Sequence, residues 1–266
     1  MRVGVFDSGV GGLSILSSIR KNMASLDVAY CCDNLNFPYG TKSEADVIKY
    51  ATLVTQQFVT QAEIDVLVIA CNTASTIALS NIRSVLSIPV VGVVPAVKPA
   101  AQASRSKIIG ILATPASIRQ PYLAALISEF AADCEVVMCG SSELVQLAEQ
   151  KMRGQIILDD EIRAQIPELL DAARRGLDQV VLGCTHFPLL ASELCRALPN
   201  SVQLVDSGEA IASRVKVILE NALHQQSTCA TNVEGWCSAS GFSIQLPCGF
   251  LGPQSALILK TLSGDK

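Results

Sequence analysis

Two cysteines stand out by what surrounds them. Val68 to Thr73 reads VIACNT and Val181 to His186 reads VLGCTH, so Cys71 and Cys184 each end an apolar run and open onto polar residues. A thiol so placed becomes a base or nucleophile where helix amides or a basic neighbour favour its thiolate. Taken singly, Cys71 reads better as a buried strand-end cysteine, since free cysteine packs like a small hydrophobe. As a pair the two suggest more. Inverting a stereocentre by moving an α-proton takes a base on one face of the carbon and an acid on the other, and two thiols can exchange those roles for the two enantiomers. Each thiol then needs a neighbour to manage its proton. Asp7 could serve Cys71, and His186, one of two histidines in the chain, could serve Cys184.

Competing chemistries fit less well. A Cys184–His186 hydrolase would want a nucleophile elbow, which is missing. Two cysteines and one histidine without a fourth nearby ligand make an incomplete zinc site. Asp7 and Ser8 precede GVGG at 9–12, a glycine-rich turn that lacks the third position of a dinucleotide fingerprint and suits a carboxylate anchor better. The second histidine, His224, reads as solvated surface at a polar helix end.

The elements that must hold these residues alternate short β-branched runs with longer helix-like segments, the pattern of parallel sheets with crossover helices. Strands are expected over 2–6, 28–32, 66–70, 90–93, 108–112, 135–138, 180–182 and 203–205. Helices are expected over 12–21, 43–63, 74–84, 120–130, 142–151, 159–174, 188–197 and 208–223. The stretch 225–249 reads as loops, and its cysteines Cys229, Cys237 and Cys248 as non-functional. A weak internal echo runs through the pattern. DVLVIACNT from Asp65 matches DQVVLGCTH from Asp178, and VGVFDSG from Val3 matches IGILATP from Ile109, so Asp7-Ser8 face Ala113-Thr114. Two echoes in one order imply two similar α/β halves.

Composition narrows the function classes. With 50% hydrophobic and 17% charged residues the 266-residue chain is globular. A formal net charge of -4 offers no basic surface for a phosphate backbone, so nucleic acid is not an expected partner. The longest uncharged stretches, 66–82 and 84–97, carry asparagines, hydroxyls and prolines and do not read as membrane spans. Ten cysteines without a leader-like N-terminus imply free thiols in a reducing, cytoplasmic setting.

At this point the residues carry a resemblance. GVFDSGVGGLSIL from Gly4, DNLNFPYGTKS from Asp33, VIACNTAST from Val68, GVVPAVKPA from Gly92, LGCTHFPLL from Leu182 and LVDSGEAIA from Leu204 are similar, in order and spacing, to the glutamate racemases of the aspartate/glutamate racemase superfamily. The resemblance implies two similar α/β domains with parallel-type sheets flanked by helices, related by pseudo-two-fold symmetry, with the active site in the interdomain cleft. Domain one would comprise 1–94 and 207–266, carrying Asp7 and Cys71, and domain two 95–206, carrying Cys184 and His186. It implies no cofactor and no metal, Cys71 and Cys184 as the catalytic pair assisted by Asp7 and His186, and a substrate site lined by Asp7, Ser8, Tyr39, Gly40, Asn72, Thr73, Thr114, Thr185 and His186. Glu149 matches the glutamate that assists one cysteine in the family, and otherwise reads as a solvated helix-face acid. The segment CSASGFSIQLPCGFLG from Cys237 lacks the acid the family commonly shows there. In biological terms the resemblance implies a homodimer supplying D-glutamate for peptidoglycan. The alternatives are a racemase of aspartate or another α-substituted acid, and a catalytically idle binding protein on the same fold.

Overall fold

The computed structural model describes residues 1–222, 233–241, 243–246, 250 and 256–263. The chain divides into two compact units, Met1–Val93 with Gly208–Lys266, and Val94–Ser207. The first holds β1 (Arg2–Asp7), β2 (Asp27–Cys32), β3 (Val66–Ile69) and β4 (Val90–Gly92). The second holds β5 (Ile108–Ala113), β6 (Glu135–Gly140), β7 (Gln179–Leu182) and β8 (Gln203–Val205). The chain then returns to the first unit for β9 (Glu234–Cys237), β10 (Ser243–Gln245) and β11 (Ala256–Thr261).

The sheet of the first unit runs β10-β11-β9-β2-β1-β3-β4, parallel throughout except for the antiparallel pair β10–β11. The second sheet runs β6-β5-β7-β8 and is wholly parallel. Every residue of β3 and of β7 is buried, as expected of strands covered by helices on both faces. Phe6, Phe58, Leu67 and Ile69 pack in the core of the first unit, and Ile109, Ile111, Leu123 and Val181 in that of the second. Each such side chain contributes roughly 1.5–3 kcal/mol by leaving water.

The two sequence echoes belong to one repeat. β1 lies between β2 and β3 as β5 lies between β6 and β7. Val3 stands opposite Val66, and its echo Ile109 stands opposite Gln179, the echo of Val66. The flanking hydrogen bonds repeat too: Asp65 N–H donates to Arg2 O at 2.9 Å and Asp178 N–H to Ile108 O at 3.3 Å, while Ala70 N–H donates to Phe6 O at 2.8 Å and Gly183 N–H to Leu112 O at 2.7 Å. Cys71 and Cys184 therefore follow equivalent strands at equivalent positions.

Several expected elements are corrected. The helix expected over 74–84 is two helices, Asn72–Ile77 and Leu79–Val85, parted at Ala78. That expected over 159–174 is broken before Pro167 into Asp159–Arg163 and Pro167–Arg174, because a residue before proline is pushed out of the helical region; Ile166 has φ -131°. The helix expected over 188–197 begins as a 3-10 turn, Phe187–Leu190, and continues as Ala191–Ala197. An unexpected helix, Val97–Ala103, tolerates Pro99 in its first turn. Most consequentially, the stretch read as loops contributes β9 and β10, and Cys237 sits buried in β9. His224, Cys229 and Cys248 lie outside the described residues.

Candidate active site

In the first unit, β1 delivers Asp7 fully buried at its C-terminal end, where ligands of parallel sheets collect. Asp7 Oδ1 accepts the Gly9 N–H at 2.9 Å and lies 3.5 Å from Ser8 Oγ, which lies 3.7 Å from Cys71 Sγ. Asp7, Ser8 and Cys71 thus form one cluster. The helix Leu13–Asn22 starts close against them: a Cβ on Gly12 would fall 2.8 Å from the Asp7 Cβ, so the approach requires glycine. Tyr30 donates its hydroxyl to Gly9 O and ties down the same turn.

Cys71, 6% exposed, immediately precedes the helix Asn72–Ile77, and Ser75 locks that junction by donating to Ile69 O at 2.8 Å and accepting from Val93 N–H at 3.0 Å. Beside it, Asn72 is buried and its Oδ1 has no hydrogen-bond partner among the described residues. A buried acceptor without a donor is costly, and a ligand N–H would relieve the cost. Thr73 is half-buried next to it.

Tyr39 and Gly40 lie in a 3-10 turn, Tyr39–Thr41. The Tyr39 hydroxyl does not face outward; it donates to Asp33 Oδ2 at 2.7 Å. Burial, followed by Asp33, pushes the Tyr39 pKa far above its ordinary value, and nearby Cys71 adds to the rise. Asp33 is itself fully buried and also accepts from Asn36 Nδ2 at 3.0 and 3.1 Å and from Ser238 Oγ at 2.5 Å. Ser238, just past β9, thus joins the divergent C-terminal segment to the Tyr39 turn. Sequence reasoning singled out neither Asp33 nor Ser238, although Asp33 opens the DNLNFPYGTKS motif.

In the second unit, Cys184, Thr185 and His186 follow β7 and are 8, 5 and 3% exposed. A tight turn, with Phe187 N–H donating to Cys184 O at 3.1 Å, brings His186 Nδ1 to 3.8 Å from Cys184 Sγ. On its other side His186 Nε2 lies 2.9 Å from Glu149 Oε1. Glu149, on the helix Glu143–Lys151, is 2% exposed, so the solvated helix-face reading is corrected: the acid is buried against His186. Lys151 from the same helix donates to Leu189 O at 2.8 Å and pairs with Glu193 at 2.7 Å, holding the turn after His186 in place. Thr114 caps the short helix Pro115–Ile118, accepting from Ser117 N–H at 3.3 Å, with its hydroxyl 2.9 Å from Ser117 Oγ.

Each unit thus carries a buried thiol at the same place in its repeat, with a hydroxyl and carboxylate beside one and an imidazole and carboxylate beside the other. Among the described residues, no helix is long and apolar enough to cross a membrane.

The family model for Asp/Glu/Hydantoin racemase matches residues 11–215. Glutamate racemase of Shewanella sp. (strain MR-4) is 49% identical over 224 residues, which cover 84% of this chain and 80% of that protein. Glutamate racemase of Salmonella gallinarum is 45% identical over 239 residues, covering 88% of this chain and 82% of that protein. Among solved structures, Escherichia coli glutamate racemase in complex with L-glutamate and the activator UDP-MurNAc-ala superposes with a TM-score of 0.83 at 41% identity, covering 90% of this chain and 89% of that one. The Aquifex pyrophilus glutamate racemase superposes with a TM-score of 0.70 at 30% identity, covering 98% of each chain. With its two α/β units and their repeated cysteine-bearing strands, the chain belongs to the Asp/Glu/Hydantoin racemase family, among its glutamate racemases.

Proposed function

We propose that the protein interconverts L- and D-glutamate without a cofactor, Cys71 and Cys184 acting as two bases on opposite faces of the α-carbon. The observation that carries this reading is the repeat that sets the two thiols at equivalent strand ends, each beside its own proton-handling group. The name shared by the relatives and the L-glutamate in the Escherichia coli structure support the choice of substrate.

In one direction the thiolate of one cysteine takes the α-proton while the thiol of the other returns a proton to the opposite face; the reverse reaction exchanges the roles. Asp7 and Ser8 manage the proton of Cys71, and His186 with Glu149 that of Cys184. Asn72 Oδ1, a buried acceptor awaiting a donor, suits the substrate ammonium. Ser8, Thr73, Thr114 and Thr185 and the backbone of Tyr39 and Gly40 hold the two carboxylates. The functional domains follow the expected division, 1–94 with 207–266 and 95–206, within one residue of the two compact units. The enzyme works in the cytoplasm as a homodimer and supplies D-glutamate for peptidoglycan.

The test is proton exchange at the α-carbon of L- and D-glutamate in deuterated water, followed by NMR and circular dichroism, for the wild type, Cys71→Ser and Cys184→Ser. Exchange with inversion in the wild type and loss of racemisation in each variant is the expected result. An inert wild type that turns over aspartate instead would move the substrate, and retained racemisation in either variant would overturn the two-base mechanism.

A further inference from the structure

The helix that carries Glu149 ends in a way that places one more charge on the same chain of contacts. Gly154 has φ +87°, a conformation glycine adopts without cost, and it closes a C-terminal cap: Gly154 N–H donates to Lys151 O at 2.9 Å and Gln155 N–H to Gln150 O at 3.1 Å. The residue before that glycine, Arg153, is turned back over the last helical turn, and its Nη2 lies 3.3 Å from Glu149 Oε2. The series therefore runs from a half-exposed guanidinium through a carboxylate and an imidazole, each under 5% exposed, to the Cys184 sulfur.

The charge state of Glu149 decides which way this series points. An ionised Glu149 accepts from His186 Nε2–H, which leaves Nδ1 as an acceptor facing the Cys184 thiol, so the imidazole can take its proton. A neutral Glu149 would donate to Nε2 and turn Nδ1–H toward the sulfur, reversing that capacity. Burial alone favours the neutral carboxyl, and an opposite charge within about 4 Å favours the ionised one. Cys184 faces the other ring nitrogen of His186, while Lys151, from the same helix as Glu149, pairs with Glu193, which also lies 3.9 Å from Arg196.

The geometry points to Arg153 as a positioning residue for the Cys184 side of the reaction, keeping Glu149 ionised and aimed at His186. This rests on the two-cysteine reading above. Arg153 touches neither the sulfur nor the reacting carbon in this account; it acts through Glu149.

The test compares the wild type, Arg153→Met, Arg153→Gln and Arg153→Lys in racemisation of L- and D-glutamate, each with protonated and α-deuterated substrate. Loss of the charge is expected to lower kcat about tenfold with KM changed less than about twofold, as for weakened proton transfer, and lysine is expected to restore most of it. The substrate isotope effect should rise in the direction in which Cys184 removes the α-proton and fall in the other, a split that a general loosening of the fold would not produce. Equal change in both directions, no change, or methionine and lysine variants that behave alike would overturn the role of Arg153. Cys184→Ser, run alongside, separates the two ideas: if it racemises normally the two-cysteine reading fails, and if it is dead while Arg153→Met is unaffected only the present inference fails. Arg153 is half-exposed, so the variants should fold; circular dichroism verifies this, and the three substitutions together keep the comparison decisive.

Discussion

The Tyr39 hydroxyl donates to the buried Asp33 carboxylate at 2.7 Å, so the side chain that sequence reasoning would turn toward a substrate is already committed. What the turn can still offer a ligand is its backbone. Tyr39→Phe should therefore remove one hydrogen bond to a charged acceptor and cost about 1.5–3 kcal/mol of stability, read as a lower midpoint in urea. Its kcat/KM for glutamate should stay within about tenfold of wild type, less than the loss from deleting a donor to the transition state. A fall of a thousandfold or more at unchanged stability would mean that the hydroxyl leaves Asp33 to bind substrate.

His186 and Glu149 are buried against each other, and His186 Nδ1 lies 3.8 Å from the sulfur of Cys184. His186→Asn should lower kcat by roughly 10²–10⁴, the usual worth of a positioned proton-transfer group, with a much smaller change in KM. Glu149→Gln should be milder, because an amide can still hold the imidazole while losing the charge. In deuterated water the enantiomer whose α-proton faces Cys71 should still exchange in His186→Asn. Loss of exchange for both enantiomers alike would place His186 in substrate binding rather than on one side of the chemistry.

The strands up to Val205 were legible because strands covered by helices are short and largely apolar, and β1 to β8 each carry such a short apolar stretch. Cys71, Cys184, Asp7 and His186 were legible for the opposite reason: polar residues at the end of such a run serve no packing need. What the sequence hid depends on contacts between distant residues. Ser238 meets Asp33 only because β9 pairs with β2, and β9 reads EGWC, with no β-branched residue and no apolar stretch to read. Glu149 was placed by resemblance; its burial depends on the turn after Cys184 folding onto its helix. Helix breaks at Ala78 and Ile166 were missed because periodicity continues across them, although Pro167 was a visible signal for the second.

The thiols should differ sharply in reactivity. Burial, then the hydrogen bond to Glu168 and its charge, pushes Cys139 up to about 12, and burial followed by Asp33 raises Cys31 well above its ordinary value. Both should resist iodoacetamide at pH 8, since the thiolate is the reacting form. Cys195 is exposed and should be alkylated first among the described cysteines. Peptide mass spectrometry with and without glutamate reads the pattern: protection by glutamate should be confined to Cys71 and Cys184. Rapid labelling of Cys139 in the native protein would contradict its placement.

Asp178 gives a stability effect whose pH range follows from its surroundings. Burial raises its carboxyl, but hydrogen bonds from Ser104 Oγ at 2.7 Å, Ser106 N–H at 3.0 Å and Arg105 N–H at 2.7 Å outweigh that and hold it below the ordinary aspartate value. A carboxyl depressed in the folded state stabilises the protein in full above its unfolded value, near pH ~4, and the contribution is lost as pH falls through the lower folded value. At pH 7, Asp178→Asn should thus be about 1.5–3 kcal/mol less stable than wild type, because an amide can satisfy only part of that set of donors. Urea unfolding at intervals from pH 7 to pH 3 should show a constant gap down to about pH 5 and a narrowing gap below it. A gap that widened in acid would mean that the folded protein favours the protonated form, and the assigned role of the three donors would fall.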